Sequence, residues 1–91
     1  MPKYVIERQM PGVGKMSAIE LRTVSKQSVG IITELGRGLT WLHSYVADDK
    51  IYCVYESPDV ELIQEHARCM GIPASSVLEV RAMIGPKTAE G

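Results

Sequence analysis

The sequence predicts an α+β fold, a four-stranded antiparallel sheet carrying two helices on one face. Three observations lead there. Two segments, residues 17–35 and 57–70, show helical spacing of apolar residues with start and stop signals of their own. Four segments rich in β-branched and aromatic residues surround them. The six follow one another as β-α-β-β-α-β, the split βαβ order of the ferredoxin-like sandwich. A chain of 91 residues suits one domain, so a single domain is expected over 1–91, with a frayed tail at 85–91.

Each element has its own warrant. Tyr4 to Met10 reads as a strand that ends in the turn-rich run Pro11-Gly12-Val13-Gly14. Ser17 and Glu20 have the spacing of a capping box, with Met16 and Leu21 placed as its hydrophobic staple. Leu21, Val24, Ser28, Ile31, Ile32 and Leu35 form the inner stripe of that helix, and Gly36 is expected as its left-handed cap. Gly30 lies mid-helix at a cost of about 1 kcal/mol relative to Ala, which suggests close packing on the sheet. Thr40–Val46 and Ile51–Tyr55 alternate on either side of Asp48, Asp49 and Lys50 and read as a hairpin. Ser57-Pro58-Asp59 opens the second helix, with Ser57 as cap and Pro58 at the first helical position. Val60, Ile63, Ala67 and Met70 are its stripe, and Gly71 and Pro73 stop it. Val77–Ile84 is the last strand.

Composition removes several classes of function. Ten Lys+Arg against eleven Asp+Glu give a net charge of -1, without the basic footprint of a nucleic-acid binder or a polybasic membrane signal. With no Phe, one Trp and four Tyr, there is no broad aromatic platform for base stacking. No apolar run approaches a bilayer span, and the first residues do not resemble a signal peptide. Cys53 and Cys69 make no disulfide framework, so both are expected as thiols in the cytoplasm. No serine sits on a nucleophile elbow, and Gly12-x-Gly14 lacks the rest of a phosphate loop.

Alternation sorts the sheet faces. Leu78, Val80, Ala82 and Ile84 are expected beneath the helices, with Glu79 and Arg81 turned away. Leu42 and Val46 are expected beneath them as well. Trp41, His43 and Tyr45 then look onto the open face with Glu7. The third strand allows two registers. A two-residue turn pairs Val46 with Ile51 and puts Tyr52, Val54 and Glu56 beside His43; a three-residue turn puts Cys53 and Tyr55 there instead. A bare sheet face in so small a chain commonly meets a second copy in a two-fold dimer. His66 lies at the edge of the second helix's apolar stripe, where a half-buried histidine with a backbone partner is expected. As donors, the two histidines, the cysteines and nearby glutamates suit nickel, zinc or copper better than calcium, although no close-spaced ligand motif is present.

The hairpin Trp41-Leu42-His43-Ser44-Tyr45-Val46-Ala47-Asp48-Asp49-Lys50-Ile51-Tyr52-Cys53-Val54-Tyr55 resembles small bacterial proteins of unassigned function related to nickel-responsive, nickel-binding proteins. So do Lys3-Tyr4-Val5-Ile6-Glu7-Arg8, Glu56-Ser57-Pro58, Glu65-His66-Ala67 and Gly71-Ile72-Pro73-Ala74. The resemblance runs from about Lys3 to Ile84 and implies a ferredoxin-like fold and dimers. Cys53 and His66 match its pattern best. The first strand, Glu7-Arg8-Gln9, departs from the nickel-binding branch in having no histidine.

Two functions from different classes follow as expectations. The first is a non-enzymatic homodimer binding nickel or zinc, with His43, Cys53, His66 and Glu56 or Glu7 as ligands. The second is a dimeric α+β barrel enclosing a small organic molecule between open faces, in a pocket of Glu7, Trp41, Tyr45 and Arg81. A plain dimerisation module is a third reading. None of them involves nucleic acid or a membrane.

Overall fold

The computed structural model describes residues 1–91 as β1 (Lys3–Gln9), α1 (Ala18–Leu35), β2 (Thr40–Val46), β3 (Lys50–Glu56), α2 (Val60–Met70) and β4 (Ala74–Glu79). The sheet order is β2-β3-β1-β4, antiparallel at every seam. This is the ferredoxin-like arrangement that the segment order predicts. Short 3-10 turns at Val13–Lys15 and Pro86–Glu90 complete the chain, the second standing where a frayed tail was expected. No helix is long and apolar enough to cross a membrane.

The helices cover one face only. Along β1, buried Tyr4, Ile6 and Arg8 alternate with partly exposed Val5 and Glu7. The core gathers Tyr4, Ile6, Leu39, Cys53, Tyr55, Leu62 and Ile63, with Ile32, Leu35, Trp41 and Val77 packed against it. A single covered face leaves just 13 of 91 residues buried. The opposite face has no layer over it.

The helix signals behave as physical chemistry requires. Ser17 Oγ accepts the Glu20 N–H at 3.1 Å while Glu20 accepts the Ser17 N–H at 2.9 Å, so two otherwise orphaned donors are satisfied reciprocally. Gly71 ends α2 in the left-handed conformation, where its N–H bonds to Ala67 and Arg68 carbonyls.

Five local expectations are corrected. The cap of α2 is Asp59, whose carboxylate accepts the Leu62 N–H at 2.9 Å. Ser57, two residues earlier, is fully buried and donates to the Asp59 carbonyl at 2.7 Å. Gly36 has positive φ (61°) with ψ at -134°, outside the left-handed helical region. Gly30 is exposed and a methyl group added there would meet nothing within 4 Å, so no close approach requires it.

The fourth and fifth concern sheet faces. Strand β4 begins three residues early, in the weak strand formers Ala74-Ser75-Ser76, and ends at Glu79. Val77 pairs with Ile6 over the core and Leu78 pairs with Val5 on the open face, where it is 64% exposed. A change of parity by one residue turns a side chain to the other face, so Val77 is inside and Leu78 outside, while Val80, Ala82 and Ile84 fall beyond the end of the strand. In β2, Trp41 pairs with Tyr55 and His43 with Val54, which leaves Leu42 as a bulge. The bulge carries Trp41 to the helix side, where its Nε1 donates to Ser44 Oγ at 2.9 Å.

Candidate functional site

The hairpin closes by the two-residue turn. Val46 pairs with Ile51, and the Ala47 N–H donates to the Lys50 carbonyl at 2.9 Å. Cys53 therefore faces the core and His43 the open face, and they share no site. Two groups of chemistry-bearing side chains result, one on each side of the sheet.

The open face is read from the strand registers. Tyr45, Tyr52, Glu7 and Ser76 form one row across the sheet; His43, Val54, Val5 and Leu78 form the next. Glu56 lies beyond them, between Thr40 and Lys3. His43 is exposed and meets Tyr45 edge-on, with ring centroids 5.1 Å apart. Glu7 is 3.7 Å from Lys50 Nζ, a half-exposed ion pair of small energetic weight. Of the pocket residues expected from sequence, Glu7 and Tyr45 are on this face. Trp41 is on the other, and Arg81 lies past the end of β4, paired with Glu79 at 3.3 Å.

The covered face holds a polar cluster within the apolar layer. Arg8 Nη2 lies 3.3 Å from His66 Nδ1, and Ser28 Oγ lies 3.1 Å from His66 Nε2. A guanidinium only donates, so Nδ1 accepts, and the neutral ring carries its proton on Nε2, toward Ser28. Burial, then the Arg8 charge, lowers the His66 pKa from 6.5 to about 4, against a smaller opposing pull from Ser28. The Tyr55 ring stands edge-on to His66 at 5.5 Å, and Arg8 Cζ lies 5.9 Å from the Tyr55 centroid. Burial and neighbouring Cys53 push the Tyr55 hydroxyl up to about 12, against the pull of Arg8. His66 is thus a fully buried neutral base held by Arg8 and Ser28, not the half-buried residue expected. Arg8 and Ser28 were missed as its partners. The signals were their places in apolar patterns: Arg8 shares the parity of Tyr4 and Ile6, and Ser28 interrupts the inner stripe of α1.

These features define a class: a small ferredoxin-like α+β protein with one bare sheet face and a buried Arg-His-Ser cluster beneath its helices. Within that class, the chain belongs to the SCO4226-like family of nickel responsive proteins, whose match covers residues 4–80. Its fold is similar to the crystal structure of SCO4226 from Streptomyces coelicolor A3(2), with a TM-score of 0.74 and 18% identity over 90% of this chain and 99% of that one. No curated protein matches the sequence.

The family description raises the question of whether these residues suit nickel. A metal site needs several donors converging on one point. No three His, Cys, Asp or Glu residues are grouped so as to hold an ion. His43 and Glu56 lie on the open face, Cys53 and His66 on the covered one, and both His66 nitrogens are engaged. One copy of the chain alone does not supply a nickel site.

Proposed function

We propose that the protein is a non-enzymatic homodimer that pairs two open sheet faces and takes a first-row divalent metal, nickel first, between them through His43 of each copy. The observation that carries this reading is the place of His43. It is the one imidazole not locked in the core, and it lies on an uncovered face beside exposed Tyr45, with exposed Leu78 in the same cross-strand row at the opposite edge of the sheet. Membership of a nickel responsive family supports the choice of metal, and imidazole suits nickel and zinc. A two-fold axis doubles the donors that a single copy lacks. Glu56, two residues along the neighbouring strand from Val54, which pairs with His43, is the oxygen donor nearest in register on the same face, while Glu7 lies one strand further and is paired with Lys50. His43 has no hydrogen-bonded nucleophile or base beside it, which is why binding rather than catalysis is proposed. We assign the protein to the cytoplasm, because buried Cys53 and exposed Cys69 are both free thiols.

Native mass spectrometry of tag-free protein, with and without nickel, tests this reading. The expected particle is two chains, with nickel retained by the dimer. His43→Ala should lower affinity by more than tenfold. A monomer at micromolar concentration, or nickel binding that survives His43→Ala, sinks the proposal.

A further inference from the structure

One buried charge in this molecule lacks a counter-charge. Arg8 is 3% exposed, yet the three ion pairs are Arg37–Glu65, Lys50–Glu7 and Arg81–Glu79. Its Nη2 bonds to neutral His66 and its Nε is buried with no partner at all. Guanidinium groups keep their charge in proteins, and buried charges are ordinarily paired. A copy docked on the open face lies across the sheet from Arg8 and does not neutralise it.

Arg8 also lines a cavity of about 170 Å³ between α1 and the covered face of the sheet. Leu21 and Val24 of α1 and Trp41, Ile51 and Tyr55 of the sheet form part of its wall, and eleven of its fifteen lining residues are hydrophobic. The other four are Arg8 and three serines, and each serine is already engaged. Ser25 donates to the Leu21 carbonyl, Ser28 holds His66, and Ser44 accepts from Trp41. Among these four, Arg8 alone has a buried side-chain nitrogen or oxygen without a hydrogen-bond partner.

We propose that this cavity is a binding site for a small monocarboxylate with an apolar body, its carboxylate on the Arg8 guanidinium and its body against α1 and the hairpin. The charge, the shape of the donor and the wall all favour this class. A planar guanidinium matches a carboxylate in geometry. One cation in an apolar wall balances one negative charge, whereas phosphate or sulfate would bury more charge than the site can answer. The volume is of the order that admits a benzene-sized group; an apolar cavity of roughly 150 Å³ is known to do so. The site is separate from the open face, and its occupancy does not depend on metal or on dimerisation.

Sodium benzoate is the probe and benzamide its neutral control, titrated into the full-length protein while the Arg8 Nε–H signal is followed by nuclear magnetic resonance. Benzoate should saturate and shift that signal, and benzamide should bind at least tenfold more weakly. Arg8→Met should lose at least tenfold in benzoate affinity, and Val24→Phe should weaken binding by filling the cavity. The comparison of the two probes needs no variant to fold. Equal affinity for benzoate and benzamide, or no saturation by about 10 mM benzoate, overturns the proposal. Undiminished benzoate binding in Arg8→Met overturns it equally. Nickel binding and dimer mass should be unaffected throughout, so failure here is distinguishable from failure of the metal reading.

Discussion

The two helices lie over the same sheet face but are held there in opposite ways. Helix α2 has 11 residues and buries Leu62, Ile63, His66 and Ala67. Helix α1 has 18 residues and fully buries just Ser28. Beneath α1 lies the cavity lined by Leu21, Val24, Ser25 and Ser28. The shorter helix is rooted by packing. The longer owes much of its definition to local chemistry: a capping box, a terminal glycine and the half-buried stripe of Leu21, Val24, Ile31, Ile32 and Leu35. Regular structure and tight burial are separate achievements, and space for a ligand survives where the second is incomplete.

Substitutions can break or sharpen that contrast. The largest effect belongs to α2. Ile63 is fully buried in the core, so Ile63→Ala should cost about 2–5 kcal/mol in denaturant unfolding. A loss no greater than that of a half-buried α1 position such as Ile31→Ala would erase the distinction.

The next is pH dependence, again through α2. The folded-state pKa of His66 lies below its unfolded value, so folding disfavours protonation. The stability is complete above about pH 6.5 and is lost as pH falls toward about 4, where the folded ring also protonates. The full span is worth about 3 kcal/mol. His66→Gln, which keeps hydrogen-bonding capacity without titrating there, should flatten this part of the stability profile. Parallel slopes in wild type and variant between those pH values would remove His66 from the account.

Two smaller effects belong to α1. Ser17→Ala removes one half of the capping box and should lower stability by about 1 kcal/mol, leaving nickel and benzoate binding unchanged. Gly30→Ala should act with the opposite sign, raising stability by about 0.5–1 kcal/mol, because the added methyl meets open space on a helix. Thermal melts of both variants report the sign directly. A destabilised Gly30→Ala would mean that α1 packs closer to another surface than the isolated chain shows.

Much of the fold was legible in the residues because local signals and tertiary demands agree. The capping box at Ser17 and Glu20, the stop at Gly71, the β-rich hairpin arms and the β-α-β-β-α-β order each arise from short-range chemistry written in consecutive residues. The family resemblance also rested on such runs. What depended on pairing was not legible. The two-residue turn, the bulge at Leu42 and the early start of β4 each set a parity, and parity decides which of two adjacent residues faces the core. Trp41 and Tyr45 were therefore assigned one face and occupy two, and Val77 and Leu78 exchanged places. The candidate ligands His43 and Cys53 were separated by the same choice of turn.

The sequence by itself determined where helices and strands form and how they follow one another, because caps, glycines and hydrophobic periods act over a few residues. Tertiary structure alone decided that Arg8, Ser28 and His66 meet, since 58 residues separate Arg8 from His66 and 38 separate Ser28 from it. Strand β1 delivers a guanidinium, α2 an imidazole and α1 a hydroxyl to one buried point. The low dielectric there turns three unremarkable side chains into a neutral histidine and an unpaired cation facing an apolar cavity.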